Sequence, residues 1–206
     1  MNPDKQLILD FTGTYEAEGF STPDRIDLRD LEETCCYCSA ASAEQIRSRI
    51  QSYGFDGLHW IDGGDYHYAS LFFLEMIPRR FSLLLLDNHS DDGEGAFGGS
   101  ILSCGNWVRY AQSLPKWRED APDIPVYLSI DKDVLSRDYA RTNWDQGRMT
   151  LDELCARIRD VASRRRILGA DICGEIAPHQ GATAEDLEIN RRTNEVLREL
   201  FLNLKD

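Results

Sequence analysis

No apolar run in this sequence approaches the ~20 residues needed to cross a bilayer. Basic residues are also in short supply. Lys and Arg number 23 against 36 Asp and Glu, a formal net charge of −13. So acidic a chain is a poor match for nucleic acid or an anionic lipid surface, and neither is expected as a partner. The opening residues, Met1-Asn2-Pro3-Asp4-Lys5, lack the basic-then-apolar plan of an export signal. The expectation is therefore a cytoplasmic protein whose six cysteines stay as thiols. Cys35, Cys36 and Cys38 form C-C-x-C, but no fourth soft ligand follows at a zinc-site spacing, so they read as small buried thiols. Cys104, Cys155 and Cys173 read as packing filler. Repeats and low-complexity segments are absent, and 206 residues suit one domain over 1–206.

What is present alternates. Apolar runs at 5–11, 58–61, 83–86, 124–130 and 167–172 read as strands. Between them lie amphipathic stretches of helical length. Ser42 with Gln45, and Thr150 with Glu153, have the spacing of capping boxes that open helices at Ala43 and Leu151. A helix from near Thr183 to Leu202 closes the chain. Strands alternating with such helices indicate βαβ units, hence an α/β fold of three αβα layers around a mostly parallel sheet. The four leucines at 83–86 read as a strand buried on both faces. A glycine-rich loop is expected over Gly93–Gly99.

The polar residues collect where strands end. The leucine run stops in Asp87-Asn88-His89-Ser90-Asp91, and on an extended chain residues two apart project to one side. His67 follows the strand at 58–61, Asp131 and Asp133 end the one at 124–130, and Glu175 follows the one at 167–172. In a parallel sheet these ends share an edge, where open α/β proteins bind ligands. Unit charges of one sign at 4 Å repel by about 4 kcal/mol even at an effective dielectric near 20. Four clustered aspartates therefore call for protons or cations, and two divalent ions would balance them. Carboxylates with a minority of imidazoles and no thiolate favour Mn²⁺ over structural zinc, with other divalent ions as alternatives. A water held between two such ions is acidified toward neutral pH, which makes hydrolysis the natural chemistry.

Gly63-Gly64-Asp65-Tyr66-His67, Asp87-Asn88-His89-Ser90-Asp91 and Ser129-Ile130-Asp131-Lys132-Asp133 fall in this order along the chain. The triplet resembles the G-G-D-H-S, D-A-H-x-D and S-x-D-x-D motifs of the ureohydrolase family, which includes arginase, agmatinase and formimidoylglutamase. The resemblance runs from about Ile61 to Pro178. It implies an arginase-like fold and two manganese ions per chain. His67, Asp87, Asp91 and Asp131 would hold one, and Asp87, His89, Asp131 and Asp133 the other, with Asp87 and Asp131 bridging. Asp133 would also help stabilise the tetrahedral intermediate. Gly169-Ala170-Asp171-Ile172-Cys173-Gly174-Glu175 resembles the family's G-x-D-I-x-E, which would make Glu175 the partner of a small cationic guanidino or amidino substrate. The resemblance also raises the expectation of a homo-oligomer.

Some positions depart from that pattern. Tyr66 and Gly174 are extra residues within two motifs, and the chain is shorter than the family usually is. Ser103-Cys104-Gly105-Asn106-Trp107-Val108 resembles arginase's S-S-G-N-L-H, with Asn106 carried over as a substrate-binding residue. Val108 stands where arginase has a proton-relaying histidine, and His179 is the nearest replacement. Trp144 and Asp145 are expected to wall the pocket. The leading expectation is a binuclear hydrolase of a guanidino, amidino or formimino C–N bond. A one-zinc deacetylase-like amidohydrolase of the same fold and a non-catalytic metal-binding protein are the alternatives.

Overall fold

The computed structural model describes residues 1–95, 100–119 and 121–204. Its strands are β1 (Gln6–Asp10), β2 (Asp24–Asp27), β3 (Tyr37–Cys38), β4 (Leu58–Ile61), β5 (Ser82–Leu86), β6 (Leu102–Ser103), β7 (Val126–Asp131) and β8 (Ile167–Cys173). Its helices are α1 (Thr14–Glu18), α2 (Ala40–Ile50), α3 (Ser70–Glu75), α4 (Trp107–Gln112), α5 (Leu151–Arg164) and α6 (Ala184–Leu202). Six strands form one sheet in the order β2-β1-β4-β8-β7-β5, and every neighbouring pair is parallel. β3 and β6 make a separate short antiparallel pair. None of the described helices is long and apolar enough to cross a membrane.

Strand alternation builds two cores. Leu7, Leu9, Ile61, Tyr127 and Leu168 point to one face, against Ile46, Phe72 and Trp107 from α2, α3 and α4. Ile8, Trp60, Leu128, Ile130 and Ile172 point to the other, against Tyr15, Leu154, Ile158 and Leu197 from α1, α5 and α6. The result is three αβα layers. The first face also carries a buried polar file, because Ser129 and Asp131 alternate in step with Tyr127, and Asp171 and Cys173 lie beside them on β8.

Three expected elements differ. β5 is an edge strand, so Leu83, Leu84 and Leu85 are only half-buried rather than covered on both faces. α2 starts three residues earlier than expected because Ser39 caps it, its Oγ accepting the Ser42 N–H, while the Ser42 hydroxyl donates to the Glu32 carbonyl. The polar stretch after Phe11 contains α1 and β2. The Thr150–Glu153 capping box forms as its spacing suggests. The glycine-rich loop falls partly outside the described residues, at 96–99.

Candidate metal centre

The carboxyl ends of β4, β5, β7 and β8 converge on a cleft of ≈ 270 Å³ whose lining includes Asp87, His89, Asp91, Asp131, Asp133 and Trp144. A 3₁₀ turn at Gly64–Ala69 brings His67 beneath it, and the turn at Lys132–Val134 aims Asp133 into it. Gly64 is needed for space, since a Cβ there would lie 2.9 Å from Asp131 Oδ2 and 3.0 Å from the Trp144 ring. Beyond β5 the chain is bent rather than extended, and Asp91 adopts φ 49, a left-handed conformation uncommon for a side chain-bearing residue. The bend divides the motif. Asp91 faces His67, while His89 faces Asp133.

Two clusters result. His67 Nδ1 lies 3.2 Å from Asp87 Oδ2, 3.0 Å from Asp91 Oδ2 and 3.7 Å from Asp131 Oδ2. His89 Nδ1 lies 2.8 Å from Asp133 Oδ2 and 3.6 Å from Asp87 Oδ1. Asp87 belongs to both, one oxygen turned to each histidine.

Outer contacts fix the donors. Ser129 Oγ donates to Asp171 Oδ1 at 2.6 Å, which leaves its lone pair to accept a proton from His67 Nε2 at 2.8 Å. The opposite nitrogen, Nδ1, is thereby free to donate its own lone pair. That atom is buried and makes no hydrogen bond of acceptable angle, although carboxylate oxygens crowd around it. A lone pair facing anions is repulsive unless a proton or a cation lies between them, so the donor set fits a divalent ion. Backbone amides of His89, Asn88 and Asp133 hold Asp87, Asp133 and Asp131 respectively. The fully buried Trp107 indole donates to Asp91 Oδ2 at 2.8 Å.

Without metal, the carboxylates compete for protons. Burial, then the charges of Asp131 and Asp87, push Asp133 up to about 9. Burial pushes Asp131 up to about 6, with Asp87 adding to it and His67 opposing. Both values exceed the ~3.9 of an unfolded aspartate, so between pH 4 and 9 the folded chain holds protons that the unfolded chain has released. Stability of the metal-free protein should fall as pH rises through that window. Thermal melts in chelator are expected to lose at least about 5 °C between pH 5 and 9, a few kcal/mol at this size. Saturating divalent metal should restore it, and melting temperatures that stay flat with pH would count against the clustered carboxylates.

Several expected site residues lie elsewhere. Glu175 is fully buried behind the cleft, bonded to Lys132 and Asn194. Gly174 sends it there, turning at φ 95 where a Cβ would lie 2.4 Å from Asp131 Oδ1. Asn106 bonds the Ser103 amide and the Ile101 carbonyl, so its amide ties a loop. His179 is exposed in the turn at Pro178–Gln180, outside the cleft lining, and the Asp145 side chain is exposed while its carbonyl accepts from Asn88. Val108 is buried in the core of the first face. Trp144 does line the cleft, its indole donating to Asp65 at 2.9 Å and its ring set edge-on to His89 at 5.8 Å. Asp65 also accepts from Asn143 and Gln180, tying three loops together. Ser129, Asp171, Trp107, Asp65 and Cys173 were not singled out by sequence reasoning. All five stand inside the motifs quoted for the resemblance, and Ser129 also stands two residues before Asp131 on a strand. A larger groove of ≈ 740 Å³ beside α2 and α4 shares no lining residue with this cleft.

No family model matches the sequence. An uncharacterised protein of Thermotoga maritima is 31% identical over 207 positions, covering 86% of this chain and 82% of that protein, and the two belong to one family. Among solved structures, proclavaminate amidino hydrolase of Streptomyces clavuligerus superposes with a TM-score of 0.64 at 14% identity, covering 96% of this chain and 90% of that one. Arginase of Medicago truncatula gives 0.63 at 14%, covering 98% and 87%. Agmatine ureohydrolase of Thermoplasma volcanium gives 0.59 at 13%, covering 98% and 92%. The chain has the fold of these ureohydrolases. Within that ureohydrolase fold it is divergent, and the histidine–carboxylate clusters described above sit at the carboxyl edge of its sheet.

Proposed function

We propose that this chain is a binuclear metal-dependent hydrolase that cleaves a C–N bond in a small guanidino, amidino or formimino compound. The observation that carries the reading is Asp87, shared between two histidine–carboxylate clusters in one cleft. The activities named for the structural neighbours support the bond type. His67, Asp87, Asp91 and Asp131 would hold one cation, and Asp87, His89, Asp131 and Asp133 the other. This donor set suits manganese. Bound there, the cations supply Lewis acidity and bring the pKa of water toward neutral.

The chain's own residues do the rest. Asp133, beside His89 in the cleft, is placed to hold the proton that passes to the leaving nitrogen. With Glu175 enclosed, no carboxylate outside the ligand set lines the cleft among the described residues. A planar cationic group would therefore rest against the Trp144 ring, which is 38% exposed, rather than pair with an acid. Asp65 holds that ring in place.

A non-catalytic metal-binding protein is the second reading, favoured by the burial of Val108 and the distance of His179 from the cleft lining. A one-zinc deacetylase-like site is disfavoured because Asp91 and Asp133 each face a histidine. Manganese-loaded protein is expected to release urea, ammonia or an amine from at least one compound in a guanidino, amidino and formimino panel. Two bound ions with no turnover of any compound would move the assignment to the second reading, and a total of one ion per chain, whatever metal is offered, to the deacetylase-like site.

A further inference from the structure

Resting on that dimetal reading, we infer that the Cys173 thiol is a metal ligand, which makes the position beside His67 a mixed nitrogen, oxygen and sulfur site for a thiophilic cation such as zinc. Cys173 ends β8 directly across the ladder from Asp131. Its Sγ lies 3.1 Å from Asp131 Oδ2, and the side chain is fully buried. Donor atoms of His67, Asp131 and Cys173 lie within 4.8 Å of one another, and all three residues are buried. His67 Nδ1, the buried atom without a hydrogen-bond partner, lies 3.7 Å from the same Asp131 Oδ2 that the Cys173 thiol meets. The tight turn at Gly174 packs backbone against the Asp131 carboxylate, which keeps Cys173 beside it.

The two positions then differ in chemistry. The one at His67 offers imidazole, carboxylate and sulfur, and sulfur selects softer ions. The one at His89 offers imidazole and carboxylate without sulfur among its clustered donors, and suits manganese. As the Sγ–cation bond forms, the S–H bond breaks and its proton passes to solvent. A thiol that only donates a hydrogen bond to Asp131 is the competing account.

The test uses the full chain loaded with Co²⁺ or Zn²⁺. Cobalt-loaded protein should show a thiolate-to-cobalt charge-transfer absorption that Cys173→Ser abolishes and Cys104→Ser, at the cleft lining, retains. X-ray absorption of the zinc-loaded wild-type chain should show a sulfur neighbour at about 2.3 Å. The preference for zinc over manganese should fall at least about tenfold in Cys173→Ser. Two bound ions with no sulfur neighbour, or a band that survives Cys173→Ser, overturns the ligand and leaves the dimetal reading standing. No bound cobalt or zinc overturns both. If Cys173→Ser fails to fold, the wild-type absorption edge decides alone.

Discussion

Asp87→Ala is expected to remove both metal ions, whereas His89→Ala should remove one. The difference follows from geometry. Asp87 turns one oxygen to His67 and the other to His89, while the carboxylates beside His89 are those of Asp87 and Asp133. Burial works against the Asp87 carboxylate, yet His67 and the His89 amide hold it below the ordinary aspartate range, so it is ionised and ready to ligate. Removing it deletes a shared anion and leaves each cluster one oxygen short. Metal content after dialysis should fall from about two ions per chain to near none in Asp87→Ala, and to about one in His89→Ala. Any activity found on the panel should fall at least about a thousandfold in Asp87→Ala, roughly 4 kcal/mol of barrier. Equal metal loss in the two variants would mean that Asp87 is not shared.

The clustered histidines and carboxylates were legible because their spacing is local. Asp131 and Asp133 at a strand end, and Asp87, His89 and Asp91 at the next, advertise themselves by twos, and β4 fell on the residues its pattern marked. What was not legible depends on neighbours across the ladder or on one inserted residue. Cys173 looks like filler in the sequence, and only the β7–β8 register sets it against Asp131. Glu175 looks like a site acid until Gly174 bends the chain and turns it inward. Asn106 has the right neighbours for a substrate contact, but its amide is consumed by backbone groups three and five residues away. Leu83, Leu84 and Leu85 read as central because their pattern cannot tell an edge strand from an inner one. The strand order, which decides that, is set by long-range crossovers.

Lys132→Met is expected to be the most destabilising single change outside the ligand set. The turn that aims Asp131 and Asp133 at the cleft sends Lys132 the other way, where it is 0% exposed. Its ammonium meets Glu175 and, at 3.0 Å, Asn194 Oδ1, while the Asn194 amide reaches both Glu175 and Glu18. Burial, then the charge of Glu175, pushes the Glu18 carboxyl well up, so it stays protonated and Lys132 balances one anion. Burial alone would raise Glu175, but Lys132 brings it below the usual range. Taking the ammonium away strands a carboxylate in the interior, a loss of about 3–5 kcal/mol and roughly 10 °C in melting temperature. Glu175→Gln should cost less, and combined with Lys132→Met it should recover part of the loss, because no unpaired charge then remains. Both variants should keep about two metal ions per chain, and Glu175→Gln should leave KM for any panel substrate within about threefold. Unchanged melting with a large rise in KM would return Glu175 to the cleft as a substrate-binding acid.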